Sequence, residues 1–311
     1  MKIMRRQSKK IIAAVLLCGV LAVSAAAQKT SLRSITVITE PNATVWIDDV
    51  NYGKTDTSGK LALRTFPGGT HKIRVRANGF KEVSQSLLPA QKGNLRIALV
   101  KTNDPAELAF QQAEAETEKE KAIELYEKAI KLRPKYAEAQ IGMARVLVDL
   151  GDTDIALKAI SAARKARPGY SEASAVEGRI YKADNQEDKA IASFKRAVTE
   201  GKGVQPEALT GLGLLYKDRA EGFGAASDFE AEKQNYLLAA TELKKAVPQL
   251  AGAPDVIIIF QQVGDCYEKA KMYQEAIKVY EEFLRIFPDA NEAETFRSFI
   301  VQLQKRIKEE Q

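Results

Sequence analysis

The chain contains a single histidine, His71, which limits the chemistry that its side chains can perform. A catalytic triad needs a histidine beside a nucleophile and an acid, and a paired-histidine metal site needs two. His71 follows Gly68 and Gly69, and the sequence has no nucleophile elbow, Walker loop or dinucleotide fingerprint. We therefore predict that the protein is not an enzyme and uses no cofactor. An enzyme whose carboxylates meet only on folding is the alternative.

One short segment gathers side-chain oxygens of the kind that bind calcium. Its members are Asp48, Asp49, Asn51 and Asp56. A calcium loop is normally closed by a bidentate glutamate, and none follows at the required spacing. We therefore predict that these side chains hydrogen-bond to the backbone of turns, and that the chain has no metal site.

Residues 1–27 have the three parts of a secretory signal peptide. A basic start precedes an apolar run over residues 11–23, and small residues occupy 24–27. We predict cleavage after Ala27 and export to the periplasm or the cell exterior. The apolar run is short for a membrane span, and an uncleaved anchor is the alternative.

Charge argues against a nucleic-acid-binding protein. The predicted signal segment holds five of the 47 basic residues, so the remaining 42 face 41 acidic residues and the mature net charge is +1. Binding to nucleic acid needs a concentrated basic surface that displaces counterions.

A period of 34 residues organises the second part of the chain. Ala122, Ala156 and Ala190 share one position of this period. Small residues at a fixed period on one helix face are typical of stacked helical hairpins. In this pattern residues 103–311 resemble the tetratricopeptide repeat family. The resemblance implies about five hairpins and a C-terminal capping helix. The fourth hairpin departs from the period, by an insertion or by a lengthened helix pair around residues 220–228.

The first part of the chain has the alternation of polar and apolar residues that is typical of strands. About seven short strands before residue 101 predict a small β-sandwich. We predict that residues 90–93 form a hairpin turn before the last strand. Residues 40–48, with Gly53, Lys54 and Thr55, are similar to a PEGA domain, although Asp49 stands where that family usually has a turn glycine. Residues 55–80 look like the carboxypeptidase regulatory-like fold. Either resemblance implies a non-catalytic accessory domain.

The family resemblance also implies where a partner binds. In tetratricopeptide repeats the first helix of each hairpin lines a concave groove, and certain positions point inward. Carried onto this chain, two of those positions are basic and are occupied by Arg145, Arg179, Lys182 and Lys217, and another is acidic. They are predicted to form a basic stripe suited to an acidic segment or a terminal carboxylate. A solvated helix face is the alternative. Glu138, Glu172 and Glu207 are interpreted as first-turn carboxylates favoured by the helix dipole.

The sequence thus predicts a multidomain chain. Its parts are a signal peptide (1–27), a small N-terminal β-sandwich (28–101) and an all-α, tetratricopeptide-like solenoid (102–311). We expect an exported scaffold that binds a protein or peptide partner of the cell envelope. An envelope-anchoring or glycan-binding role of the β-sandwich is the alternative. Cys266 is predicted to be a buried packing residue. Trp46 is predicted either to face a partner or to anchor the sandwich core.

Overall fold

The computed structural model describes residues 33–66 and 69–310 of the chain, which form a β-sandwich followed by a helical solenoid. The predicted signal peptide and the first residues of the predicted sandwich lie outside the described residues. The strands are β1 (Arg33–Ile38), β2 (Thr44–Ile47), β3 (Val50–Lys54), β4 (Lys60–Phe66), β5 (His71–Arg76), β6 (Val83–Leu87) and β7 (Gly93–Arg96).

Two sheets face each other in the sandwich. One has the strand order β4-β1-β7 and the other has the order β3-β2-β5-β6. Alternation places Ile35 and Val37 of β1 in the core, where they are 1% and 0% exposed. Val37 pairs with Leu61 on antiparallel β4 and with Leu95 on parallel β7. The predicted β-sandwich is therefore present.

The prediction of a hairpin turn at residues 90–93 is wrong. These residues follow β6, which is an edge strand of the four-stranded sheet, and lead into β7, which begins at Gly93 and belongs to the other sheet. β7 lies parallel to β1, and a two-strand hairpin would require antiparallel neighbours. The segment therefore carries the chain from one sheet to the other.

Eleven helices follow within the described residues, and the first ten form five antiparallel hairpins. The helices are α1 (Pro105–Ala115), α2 (Lys119–Leu132), α3 (Ala137–Leu150), α4 (Thr153–Ala166), α5 (Ser171–Ala183), α6 (Glu187–Glu200), α7 (Pro206–Ala225), α8 (Phe229–Ala246), α9 (Val256–Lys269), α10 (Tyr273–Ile286) and α11 (Ala293–Glu309). A short 3-10 turn, Val247–Gln249, follows α8.

Small residues let the two helices of each hairpin approach closely. Ala122, Ala156 and Ala190, which share one position of the 34-residue period, are all buried. Gly178 of α5 lies against the ring of Phe194 from α6, where a Cβ would come within 2.5 Å of the ring. The period seen in the sequence thus corresponds to the packing positions of the solenoid.

The fourth hairpin is longer than its neighbours. α7 has 20 residues and α8 has 18, whereas α3, α4, α6, α9 and α10 have 14 each. The departure from the period is therefore a lengthened helix pair. The pair packs by the same rule, because Gly213 of α7 lies directly against Leu243 of α8.

The final helix covers the end of the solenoid, as predicted for a cap. Phe296 and Leu303 of α11 are 1% exposed, and Phe299, Ile300 and Ile307 pack beside them against the last hairpin. The opposite face is charged and exposed, so the helix ends the stack with a polar surface.

Candidate functional site

The β-sandwich is docked on the first helix of the solenoid. The side chain of Gln111 accepts a hydrogen bond from the backbone N–H of Gly79 (2.9 Å) and donates one to the carbonyl of Phe80 (2.7 Å). Arg76 of β5 forms an ion pair with Glu114, one turn further along α1. Gln111 and Arg76 are buried, so these contacts fix the orientation of the sandwich at this end.

A second contact lies further along the solenoid, in the connection between α8 and α9. The phenolic O–H of Tyr52 on β3 donates to the carbonyl of Ala251 at 2.6 Å. Ala253 is 4% exposed and belongs to the apolar core of the sandwich, and Leu250 packs against that core. The solenoid thus completes the core of the sandwich. The sandwich contacts the solenoid at α1 and again at the segment before α9.

A cavity of about 510 Å³ lies between the sandwich and the solenoid. Its sandwich wall is the β2–β3 turn, and its solenoid wall is formed by α3, α5, α7 and α9. Apolar side chains such as Leu214 and Ile259 lie beside charged ones. We call this space the groove cavity, and its lining includes Asp48, Asp49, Val50, Arg145, Glu172, Arg179, Lys182, Phe194, Val204, Glu207, Thr210, Leu214, Leu250, Asp255 and Ile259.

Arg145 lies at the centre of the ion pairs in this cavity. Its guanidinium donates two hydrogen bonds to the carboxylate of Glu207, at 2.8 and 2.6 Å, and a third to Glu172 at 3.3 Å. Burial alone would lower the pKa of Arg145, but the two carboxylates outweigh it and hold the pKa above its ordinary value. Burial alone would raise the pKa of Glu207, and the guanidinium groups of Arg145 and Arg179 hold it below its ordinary value. Both groups are therefore charged at neutral pH.

Two further residues of the predicted basic stripe also have acidic partners. Arg179 lies 3.7 Å from Glu207 and 3.5 Å from Asp149. Lys182 lies 2.9 Å from Asp218. Both residues line the groove cavity, as Arg145 does, so the structure brings three of the four predicted residues together.

The fourth, Lys217, does not line the groove cavity. Its ammonium donates to Asp265 (2.7 Å) and to Gln262 (2.8 Å), which both belong to α9. Lys217 thus ties α7 to α9. A partner-binding role for the four residues stays a prediction.

The acidic residues were the part of this site that sequence interpretation missed. Glu172 and Glu207 lie in the first turns of α5 and α7, which agrees with the helix-dipole interpretation, but both also pair with Arg145. Arginine in one repeat and glutamate at a fixed position of the following repeats is a signal that could have predicted this pairing.

Trp46 lies on the outer face of the four-stranded sheet and not in the sandwich core. The guanidinium carbons of Arg74 and Arg76 lie 4.5 and 5.1 Å from the centre of its ring. This face of the sheet meets α1, α2 and α3 across a second cavity of about 600 Å³. The prediction that Trp46 anchors the sandwich core is therefore wrong, since Trp46 faces the solenoid. Contact of Trp46 with a partner stays a prediction.

Of the four oxygen-bearing side chains, Asp56 and Asn51 make the predicted turn hydrogen bonds, whereas Asp48 contacts β5 and Asp49 lies near Arg74. The carboxylate of Asp56 accepts from the N–H groups of Ser58 (2.8 Å) and Lys60 (2.9 Å). The Asp48 carboxylate lies 2.6 Å from Nδ1 of His71. Among the residues that the structure describes, no group of three histidine, cysteine or acidic side chains has a metal-binding arrangement.

Cys266 is fully buried in α9, as predicted. Burial raises the pKa of its thiol to about 12, so it is a packing residue and not a thiolate nucleophile. No helix in the described part of the chain is both long and apolar enough to cross a membrane.

Comparisons with family models find matches in both parts of the chain. A family model described as PEGA domain matches residues 32–103. Models described as tetratricopeptide repeat match residues 115–180 and 261–290. Among curated proteins, the human protein O-mannosyl-transferase TMTC1 is 24% identical over 190 residues, which are 61% of this chain. The match spans only 20% of the length of that relative.

Solved structures resemble the helical half at low sequence identity. Yeast Tom70 is 16% identical with a TM-score of 0.50, covering 66% of this chain and 41% of that one. MamA from Desulfovibrio magneticus RS-1 is 19% identical with a TM-score of 0.44, covering 61% of this chain and 98% of that one. A tetratricopeptide repeat protein from Thermus thermophilus is 20% identical with a TM-score of 0.43, covering 63% of this chain and 97% of that one. At these identities the likeness to Tom70 concerns the fold alone. The family models and the fold agree that the chain carries an N-terminal PEGA domain followed by tetratricopeptide repeats.

Proposed function

We propose that the chain is an exported adaptor that binds a segment of a partner protein in the groove cavity. A tetratricopeptide repeat fold is typically a non-catalytic scaffold for protein–protein interaction, which supports a role in binding a protein partner. The observation that carries the proposal is the groove cavity itself. It combines apolar side chains with charged ones on the inner helices, as sites for peptide segments do.

Two features of the lining support a segment rather than a broad flat interface. The cavity is bounded on one side by the β2–β3 turn and on the other by α5 and α7, so an occupant is enclosed by both domains. Arg179 and Lys182 have side chains that are 38% and 37% exposed, so this wall of the cavity is open to an entering segment. Arg145, in contrast, is held by two carboxylates and mainly shapes the site.

Filling the cavity tests the proposal. Thr210 lies on α7 in the cavity wall, and Thr210→Trp would occupy the space that a segment needs. Thr241→Trp on α8 is the matched control, because Thr241 is exposed and lies outside the described cavities. The full chain and both variants would be used to capture proteins from a cell-envelope extract, with identification by mass spectrometry.

We expect a protein that the wild-type chain and Thr241→Trp retain and that Thr210→Trp loses. Capture that Thr210→Trp leaves unchanged would remove the groove cavity from the proposal. Circular dichroism of both variants shows whether each has folded, so that a loss of capture is assigned to the filled cavity.

Export rests on the basic, apolar and small-residue parts of residues 1–27. Expression of the chain with and without this segment, followed by cell fractionation and N-terminal mass spectrometry, tests it. We expect the full chain outside the cytoplasm with Gln28 as its first residue. Retention inside the cell would contradict export, and an intact start on a membrane fraction would indicate an anchor.

A further inference from the structure

The net charge of the side chains that line the groove cavity is negative, although the sequence pattern predicts a basic stripe there. Among the described residues that line it, three are cations and five carry carboxylates. The cations are Arg145, Arg179 and Lys182, and the carboxylates are those of Asp48, Asp49, Glu172, Glu207 and Asp255. The balance of the lining is therefore two negative charges.

The positive charges of the lining already have carboxylate partners. Arg145 donates to Glu207 and Glu172, and Glu207 also lies near Arg179. Lys182 is paired with Asp218 at 2.9 Å. An anion entering the cavity would have to displace these carboxylates and would also meet the other three in the lining, so like-charge repulsion disfavours it.

Two carboxylates, in contrast, are open to a ligand. Asp49 has a side chain that is 54% exposed, and its ion-pair distance to Arg74 is 3.6 Å. Asp255, just before α9, is exposed and makes no ion pair with any residue that the structure describes. They approach the cavity from different elements, since Asp49 belongs to the β2–β3 turn of the sandwich and Asp255 to the solenoid.

Apolar groups complete the chemistry of the cavity. Leu214 of α7 and Ile259 of α9 line the same space as the two aspartates. A lysine or arginine side chain matches this combination, because its long aliphatic stem packs on apolar surface while its charged end reaches a carboxylate. A short acidic side chain would match neither part.

We propose that the groove cavity receives a lysine or arginine side chain of the partner segment, with the stem against Leu214 and Ile259 and the charge at Asp49 and Asp255. The inference rests on the proposed function and adds the chemical class of the partner. It also makes the site composite, because the sandwich supplies one carboxylate and the solenoid the other.

A peptide library provides the test, with the immobilised full chain as target. Phage displaying random twelve-residue peptides would be selected on the wild-type chain, and binders that Thr210→Trp also retains would be discarded. We expect the remaining peptides to be enriched in lysine or arginine beside leucine, isoleucine or similar residues. The strongest peptide would then be synthesised with a fluorescent label.

Binding of that peptide would be measured for Asp49→Asn and Asp255→Asn. Asparagine keeps the size of each side chain and tolerates the left-handed backbone at position 49, so the fold is retained. We expect Kd to rise about fivefold for each variant, as for loss of a partly exposed ion pair. Asp154→Asn is the matched control, because Asp154 is an exposed aspartate in the first turn of α4, away from the groove cavity. Its Kd is expected to be unchanged.

The outcomes separate the two proposals. Groove-dependent peptides that lack lysine and arginine, or that are rich in acidic residues, would overturn this inference and leave the proposed function standing. A basic peptide whose Kd is unaffected by both asparagine variants would also overturn it. If no selected peptide depends on the space around Thr210, both this inference and the proposed function are overturned.

Discussion

Gly264 is a residue at which one methyl group decides the fit between two helices. A Cβ at this position of α9 would lie 2.1 Å from the ring of Tyr280 on α10. Tyr280 is 1% exposed, so its ring has no free space to enter. We expect Gly264→Ala to lower the free energy of unfolding by about 1–3 kcal/mol, as overpacking does. Urea unfolding followed by far-UV circular dichroism measures the change.

Gly222→Ala is the matched control for this prediction. Gly222 also lies in a helix, α7, but it is exposed and a Cβ there would meet no atom within 4 Å. Alanine has the higher helix propensity, so this variant is expected to gain up to about 1 kcal/mol. A loss of the same size at both positions would contradict the packing role of Gly264.

Glu207 links the groove cavity to pH. The pKa of its carboxyl is held below the ordinary value by Arg145 and Arg179, against the effect of burial. A carboxylate with a lowered pKa in the folded state stabilises the fold at neutral pH, and this contribution is lost as pH falls through that lowered value. We expect Glu207→Gln to cost about 1–2 kcal/mol at pH 7, less than for a fully buried pair because the side chain is 30% exposed.

The pH dependence of unfolding separates charge from packing at this position. The cost of Glu207→Gln should shrink as pH falls below the ordinary pKa of a glutamate towards the lowered pKa of Glu207, because the folded chain then gains less from keeping this carboxylate ionised. Urea unfolding at pH 7 and pH 3 measures it. Glu294→Gln is the control, since the Glu294 side chain is 84% exposed and its ion pair is with Arg297 on the same helix. A cost of Glu207→Gln that is the same at both pH values would contradict the charge argument.

At the scale of elements, α1 is the helix whose start matters most, because the sandwich docks on it. The carboxylate of Asp104 accepts from the N–H groups of Ala106 and Glu107, and Pro105 occupies the first helical position. Asp104 also forms an ion pair with Arg133 at the end of α2. Both interactions hold α1 in place beneath the sandwich.

We expect Asp104→Ala to lower the free energy of unfolding by about 1 kcal/mol through loss of the helix cap. Asp104→Asn keeps an oxygen that can cap the helix and removes only the charge, so it should recover most of that loss. Chemical denaturation of the two variants measures the difference. Equal losses would assign the effect to the ion pair and not to the cap.

Elements with a clear period were predictable from the sequence, and those without one were not. The alanines of α2, α4 and α6 recur every 34 residues because each fills the same gap between helices. β6 carries little sequence signal for a strand, because its three central residues are exposed and polar and little apolar alternation remains. The segment at residues 90–93 has ordinary turn residues, but the pairing of β7 with β1 depends on residues far away in sequence.

The candidate site was predictable only in part, for a related reason. Three of its cations follow from the inward positions of the repeats, which are local to each hairpin. The acidic partners of Arg145 lie 27 and 62 residues away from it in sequence. One wall of the groove cavity comes from the other domain, the sandwich. No local pattern specifies such contacts. The role of Asp49 at a cavity wall could therefore be found only from the folded chain.

At the scale of the whole molecule, the sandwich and the solenoid should unfold together. Ala253 lies in a connection of the solenoid and is buried in the sandwich core, so Ala253→Asp would place a charge there without changing a helix. We expect this variant to undock the sandwich. Trp46, the only tryptophan of the chain, faces the solenoid and its fluorescence reports the docked state.

Two probes measure this coupling during urea unfolding. In the wild-type chain, Trp46 fluorescence and far-UV circular dichroism should change over the same urea range. In Ala253→Asp, the fluorescence change should come first. Ala226→Asp, in the exposed turn after α7, is the control and should keep the two transitions together. Separate transitions in the wild-type chain would contradict the coupling.

The contact between Tyr52 and Ala251 has a consequence for the order in which the chain folds. Its two residues are separated by 199 positions. The sandwich is synthesised first, but part of its core is supplied by Ala253 and Leu250, which emerge only after four hairpins. Closing so long a loop is slow compared with forming hairpins between neighbours. Although the sandwich is synthesised first, we therefore expect it to reach its final packing last. Until α9 has formed, part of its apolar surface stays uncovered.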